Sequence, residues 1–180
     1  MQKYIAHPET EVHGQAMLHF FVSINREEFL PAVEDILAEN GVGKIEEDQW
    51  YPMQLWLDIF QRIAENSNSM SNLVALGMSA IETGTLPPDI DSIVSAMNLL
   101  NAIYGLNLRN FPDDEGYEVS EVGKRHVRVK DRTPFPHDVV YGYIYGLSKQ
   151  FGNAETFTVR RTYLNEADPD SDGAVYDITW

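Results

Sequence analysis

The chain has 180 residues, no cysteine and a formal net charge of −15, with 43% hydrophobic and 11% aromatic residues. That is ample material for one packed core, which argues against disorder and leaves two full domains cramped. The absence of cysteine excludes a disulfide scaffold, a Cys-ligated metal site and a thiol nucleophile. The 28 acidic residues against 13 basic ones argue against nucleic acid as a partner.

No segment offers the ~20 uninterrupted apolar residues of a membrane span. The opening MQKYIAHPETEVHGQ lacks the apolar run of a secretory signal, so a cytoplasmic address is the default. Residues 1–100 carry 15 acids and 4 bases, and residues 101–180 carry 13 and 9. The hydrophobic pattern changes near the same place, dividing a single domain over 1–180 into a helical part (1–110) and a sheet part (111–180).

The helical part starts with Met17, Leu18, Phe20, Phe21 and Ile24, an apolar stripe at helical spacing. Asn25 with Glu28 reads as a capping box for a second helix that buries Phe29, Val33, Ile36 and Leu37; with Pro31 present, the helix could instead begin there. Asn40-Gly41 ends it. Pro52 suits the first turn of a third helix, where Met53, Trp56, Phe60 and Ile63 form a stripe widened by Leu55 and Ile59. After a Ser/Asn-rich break, Leu73, Val74, Gly77 and Ile81 mark a fourth helix that stops at Gly84. A fifth starts at Pro87-Pro88-Asp89, keeps the helical period through Ile90, Ile93, Val94, Met97, Leu100 and Tyr104, and stops at Gly105.

Beyond Asn110 the period becomes two. Tyr117 and Val119, then Val127 and Val129, alternate with polar neighbours around a turn at Gly123. Residues 155–164 and the final AVYDITW read as a second antiparallel pair. Between the pairs, Val140, Ile144, Leu147 and Phe151 mark a sixth helix. The predicted class is α+β: about five helices packed on an antiparallel sheet of about four strands with one further helix, β-β-α-β-β.

Histidine and carboxylate are the metal ligands this composition leaves, and no HExxH or H-x₃-H pair is present. His13 and His19 are taken to point from different helix faces, and His126 to point outward from a strand. DPDSDG at 168–173 begins like a calcium loop, but Thr179 stands where the bidentate Glu belongs, so it reads as a hairpin turn. Asp113-Asp114-Glu115 reads as a solvated loop with its carboxylates ionised. No catalytic, cofactor-binding or metal-ligating set emerges.

Seven of the 13 bases fall in two short stretches, Lys124 to Arg132 and Arg160-Arg161. If the strands are neighbours, Arg128 and Lys130 share a face with Arg160, forming a patch for an anionic ligand or an acidic partner helix; pairing within the chain against the acidic helical half is the alternative. The sixth helix carries Gly142 and Gly146 beside Tyr141, Tyr143 and Tyr145. Two glycines inside a helix cost ~1 kcal/mol each relative to alanine, so something must approach closely: the sheet, a second subunit or a ligand. Trp50, Trp56, Tyr141 and Tyr145, with His137, are the candidate pocket residues; aromatic core packing is the competing reading.

Several stretches follow a familiar order: G-x-A-x-x-x-F-F from Gly14 to Phe21, WYPMQLWLDIFQRIAE at 50–65, ALG at 75–77, YG at 104–105, TPFPHDVVYGYIYGLSKQFG at 133–152, and a terminal strand ending in Trp180. This layout resembles the superfamily of vinyl-reductase-type (4-vinyl reductase) small-molecule-binding domains and haem-NO-binding sensor domains, whose fold is related to TRAPP subunits. The resemblance implies a pocket between the helical layer and the sheet, and a tendency to dimerise and to sense ligands. It also implies cysteines after the T-P-[YF]-P segment for the vinyl-reductase type, where this chain has none and His137 stands near one such place. For the haem-NO-binding type it implies a proximal histidine and a Y-x-S-x-R motif. The helix 89–104 has no histidine and the motif does not occur, so the residues support neither haem nor zinc and the cofactor stays unknown.

The expected function is a non-enzymatic sensor or regulatory domain, a homodimer that binds a small, partly apolar molecule in an aromatic pocket. An assembly module without a small ligand is the alternative. An enzyme using His137 is a further one, its motif being PHD at 136–138, where Asp138 also suits a helix N-cap.

Overall fold

Met53, Leu55, Trp56, Leu57, Ile59, Phe60 and Ile63 are all buried in one helix, as the width of their apolar stripe predicts. In the computed structural model the described residues are 4–23, 26–65, 69–83, 86–87, 90–152, 156–168 and 173–180. Ile24, the Asn25–Glu28 capping box, the Gly84 stop, the Pro88-Asp89 start and the centre of the 168–173 turn lie outside the described residues or side chains.

The helical part consists of α1 (Gly14–Ser23), α2 (Arg26–Glu39), α3 (Met53–Glu65), α4 (Ser69–Thr83), α5 (Ile93–Asn98) and α6 (Leu100–Asn107). Pro31 lies inside α2, so that helix does not begin there. It ends as expected: Gly41 takes φ +68° and Val42 N donates to Leu37 O at 2.8 Å. The single fifth helix of the sequence reading is two helices that meet at Leu99. Its start is a Ser92–Ser95 capping box, and it runs through Gly105 to Asn107.

Three very short strands, β1 (Glu11–His13), β2 (Trp50–Pro52) and β3 (Leu108–Arg109), were not anticipated. They form an antiparallel sheet in the order β2-β1-β3, with Val12 opposite both Tyr51 and Leu108. His13 is therefore on a strand, and Pro52 closes β2 one residue before α3.

The sheet part matches the predicted β-β-α-β-β. Strands β4 (Tyr117–Gly123), β5 (His126–Asp131), β6 (Thr158–Tyr163) and β7 (Ala174–Thr179) form an antiparallel sheet in the order β4-β5-β7-β6, and α7 (His137–Phe151) joins the two hairpins. The inner face presents Val127, Val129, Tyr176 and Ile178 to α5 and α7. A second core gathers α1 to α4 and the small sheet around Met17, Trp56 and Phe60. Tyr117 and Phe135 pack against both. Among the described residues no helix is long and apolar enough to cross a membrane.

The glycines of α7 have an internal explanation. A Cβ at Gly142 would lie 2.0 Å from Val74 O, and one at Gly77 would lie 2.1 Å from Val139 O. Helices α4 and α7 cross with bare backbone against bare backbone, and Gly146 continues the contact against Met78 and Ile81. Of the three possible neighbours named for these glycines, none is the one found; the close approach is by α4.

Candidate functional site

The end of the sheet, where β5 runs into the 132–136 segment, holds an open cleft of about 600 Å³. Pro112, Asp114 and Glu115 line one side from the loop after β3. Lys130, Arg132, Thr133 and Pro134 supply the strand end, and Leu164 and Gly173 come from the two ends of the β6–β7 connection. Ile5, 67% exposed, stands at the rim with Leu164, 38% exposed, so apolar side chains edge a polar floor.

Glu115 is not the solvated carboxylate that its acidic neighbours suggest. It is half-buried and accepts a hydrogen bond from Tyr104 OH at Oε1. Burial pushes its carboxyl above the usual range, opposed by that hydrogen bond. Burial and the same partner push the Tyr104 phenol far above its ordinary value. Gly116, at φ +130°, makes the turn between Glu115 and β4, and Tyr117 N donates to Asn101 Oδ1 at 2.9 Å. The acidic wall of the cleft is thereby tied to α6 at two points.

Behind Thr133 lies Asp131, wholly buried. Its Oδ1 accepts from Thr133 N at 2.9 Å and from Thr133 Oγ1 at 2.7 Å. Its Oδ2 stands 3.8 Å from His137 Nδ1, beyond hydrogen-bond range. Tyr176 OH donates to His137 O at 3.0 Å, and Tyr163 lies beside the imidazole at 5.7 Å between ring centroids. The PHD motif thus buries its histidine against the sheet. Asp138 is not the N-cap, a position held by Pro136; it receives Arg161 Nη1 at 2.8 Å.

The other sequence candidates are dispersed. Trp50 lies on β2, with the Arg109 guanidinium 4.3 Å above its ring and His13 edge-on to it. Trp56 is buried in the seam between α3 and the sheet part, stacked on Phe60 at 5.6 Å and edge-on to Phe135 at 5.2 Å. Tyr141 and Tyr145 stack at 6.2 Å along α7, with Phe157 completing the row at 5.0 Å from Tyr145. None of these four, nor His137, lines the cleft.

The basic patch forms as a face but not as an open cluster. Arg128 and Arg160 lie opposite Asp177 from the two flanking strands, with Lys130 two residues along. Arg128 clamps Asp177 with two hydrogen bonds, at 2.9 and 3.1 Å, and His126 Nε2 is 2.6 Å from the same carboxylate. Partial burial works against ionisation of Asp177, but Arg128 and His126 outweigh it and hold the carboxyl below its usual range. The internal pairing is made within the sheet rather than with the acidic helices.

No family model matches the chain, and no curated protein matches it. Solved structures do. An H-NOX protein mutant from K. algicida, in the unliganded Fe(II) state, superposes with a TM-score of 0.69 at 15% identity, covering 93% of this chain and 95% of that one. An H-NOX protein from S. oneidensis in the Fe(II)NO ligation state gives 0.65 at 13% identity, with coverages of 92% and 97%. A protein studied for haem redox potential and porphyrin distortion gives 0.68 at 16%, with coverages of 93% and 94%. The chain has the H-NOX fold. At these identities the likeness is one of fold, and it supports the haem-NO-binding side of the resemblance.

An H-NOX fold implies haem, and the residues here do not fit it. A haem between the helices and the sheet needs a flat apolar slot and an axial side chain aimed into it. The seam is filled: Trp56, Phe60 and Tyr104 are at most 4% exposed, and Phe135 meets all three with ring centroids 5.2 to 6.1 Å away. Helices α5 and α6 carry no histidine. His137 and His126 sit beside carboxylates, and His13 stands against Trp50. Among the described residues there is also no group of three His, Cys, Asp or Glu suited to a metal ion.

Sequence reasoning missed Glu115, Tyr104, Thr133, Ile5 and Leu164 as site residues. Nothing within the acidic run marks Glu115, because its hydrogen-bond partner Tyr104 lies on α6, 11 residues earlier in the chain.

Proposed function

We propose that the chain is a non-enzymatic ligand-binding domain of the sensor type, which uses the H-NOX fold to hold a small, partly apolar molecule other than haem. The observation that carries this is the cleft at the end of the sheet. It is a concave site with exposed apolar residues at its rim, charged groups of both signs, and a carboxylate fixed by a buried phenol. The seam, where a haem-type pocket would lie, is packed with aromatic rings.

The test is a thermal-shift screen of the full chain against a broad set of small polar and amphiphilic molecules, with hits repeated on Arg132→Ala. Compounds that raise the unfolding midpoint of the wild type but not of the variant support the reading. A screen in which every stabilising compound acts equally on both proteins sinks it. The expected homodimer and single-domain organisation belong to the same proposal, and sedimentation of the 20.5 kDa chain measures the first directly.

A further inference from the structure

Resting on the cleft proposed above, we propose that its ligand is an amino-acid-type zwitterion with an apolar side chain, its ammonium on Glu115, its carboxylate on Arg132 and Lys130, and its side chain between Ile5 and Leu164. The charges of the lining carry this assignment. Among the described residues, two acids and two bases face one cleft. A simple anion would meet Asp114 and Glu115 in a chain of charge −15, and a simple cation would meet Lys130 and Arg132. A net-neutral ligand bearing both signs satisfies both pairs of charges.

The bases are available for this. Arg62, Arg109, Arg128 and Arg161 each hold a carboxylate. Arg132 is exposed, and its guanidinium makes no ion pair among the described residues; its backbone N–H is fixed by Gly116 O at 2.9 Å. Among the described residues Lys130 reaches only Glu118, at 3.9 Å, and that carboxylate is 70% exposed. A pair so loose and so wet contributes little and yields readily to a ligand carboxylate.

On the acidic side of the cleft, Tyr104 donates to Oε1 of Glu115, and Oε2 makes no hydrogen bond among the described residues. An ammonium there gains a charge-assisted bond to a carboxylate already held in place. The exposure of Ile5 and Leu164 is what a small apolar side chain would cover.

Titration calorimetry of the full chain with L-leucine, L-leucinamide and N-acetyl-L-leucine decides the matter. Leucine is expected to bind, and each analogue, having lost one charge, to bind about tenfold or more weakly. Glu115→Gln, which keeps the acceptor for Tyr104, and Arg132→Ala, at an exposed position, should each weaken leucine by a similar factor. N-acetyl-leucine binding as well as leucine overturns the ammonium assignment, and leucinamide binding as well overturns the carboxylate assignment. No leucine binding overturns the inference, while Arg132-dependent hits in the broader screen would keep the cleft reading intact.

Discussion

The seam and the cleft are built from different residues, aromatic rings in the first and charged, proline and aliphatic side chains in the second, and they behave oppositely. In the seam, Trp56, Phe60, Phe135 and Tyr104 meet ring against ring, and the helices behind them close further because Gly77 and Gly142 remove the side chains that would hold them apart. In the cleft, Tyr104 turns its hydroxyl to Glu115 instead of its face, and Pro112, Ile5 and Leu164 remain at the edge of an open space. One tyrosine belongs to both regions, with its ring in the core and its oxygen at the site. An aromatic-rich sequence therefore does not tell a pocket from a packed core. The difference lies in whether polar ends are left facing a space that nothing fills.

Breaking the packed region should have the largest effects. Gly142→Leu places a side chain where the backbone oxygen of Val74 stands, and is expected to cost more than ~3 kcal/mol or to prevent folding, as read by urea denaturation. Phe60→Ala, at a residue 1% exposed, should cost about 3–5 kcal/mol in the same assay. A loss below 1 kcal/mol would show that the seam is loosely packed and could admit a planar ligand after all.

Smaller effects sharpen the polar side. Asp177→Asn removes the carboxylate shared by Arg128 and His126 and should cost about 1 kcal/mol at neutral pH. The Asp177 carboxyl is lowered in the folded state, so its contribution is present above the ordinary aspartate value and is lost as pH falls through the lowered one. Wild type and variant should accordingly converge in acid, measured as unfolding midpoints across pH. Glu115 works in reverse. Its carboxyl is raised in the folded state, so its contribution is greatest below the ordinary glutamate value and declines as pH rises towards the raised one. Glu115→Gln should remove that decline and leave the variant no less stable than wild type at neutral pH.

Most of the four-stranded sheet and α7 could be read from the chain, because Val127/Val129 and Val140/Ile144/Leu147 repeat at the periods of their elements and meet one core. The three-residue strands around Val12 and Tyr51 are too short to show a period, and pairings across tens of residues create them. The break at Leu99 was hidden because Met97, Leu100 and Tyr104 stay buried on both sides of it. At the site, the bases were visible as residues, but their use was not. Asp177 neutralises Arg128 from a strand about 50 residues away, while Arg132 remains without such a partner among the described residues. Glu115 was concealed by Asp113 and Asp114, since only the docking of α6 decides which member of an acidic run leaves water.

The strand order has a consequence for how the protein is made. The β4–β5 hairpin and β6 are joined in the sheet only through β7, the latest of the four in chain order. As the polypeptide leaves the ribosome, α7 and β6 emerge with no strand to bridge them to the hairpin, and the hydrophobic face of Val127 and Val129 waits for Tyr176 and Ile178. Such distant pairing makes for slow assembly. Closure of the four-stranded sheet therefore waits for the segment 174–179.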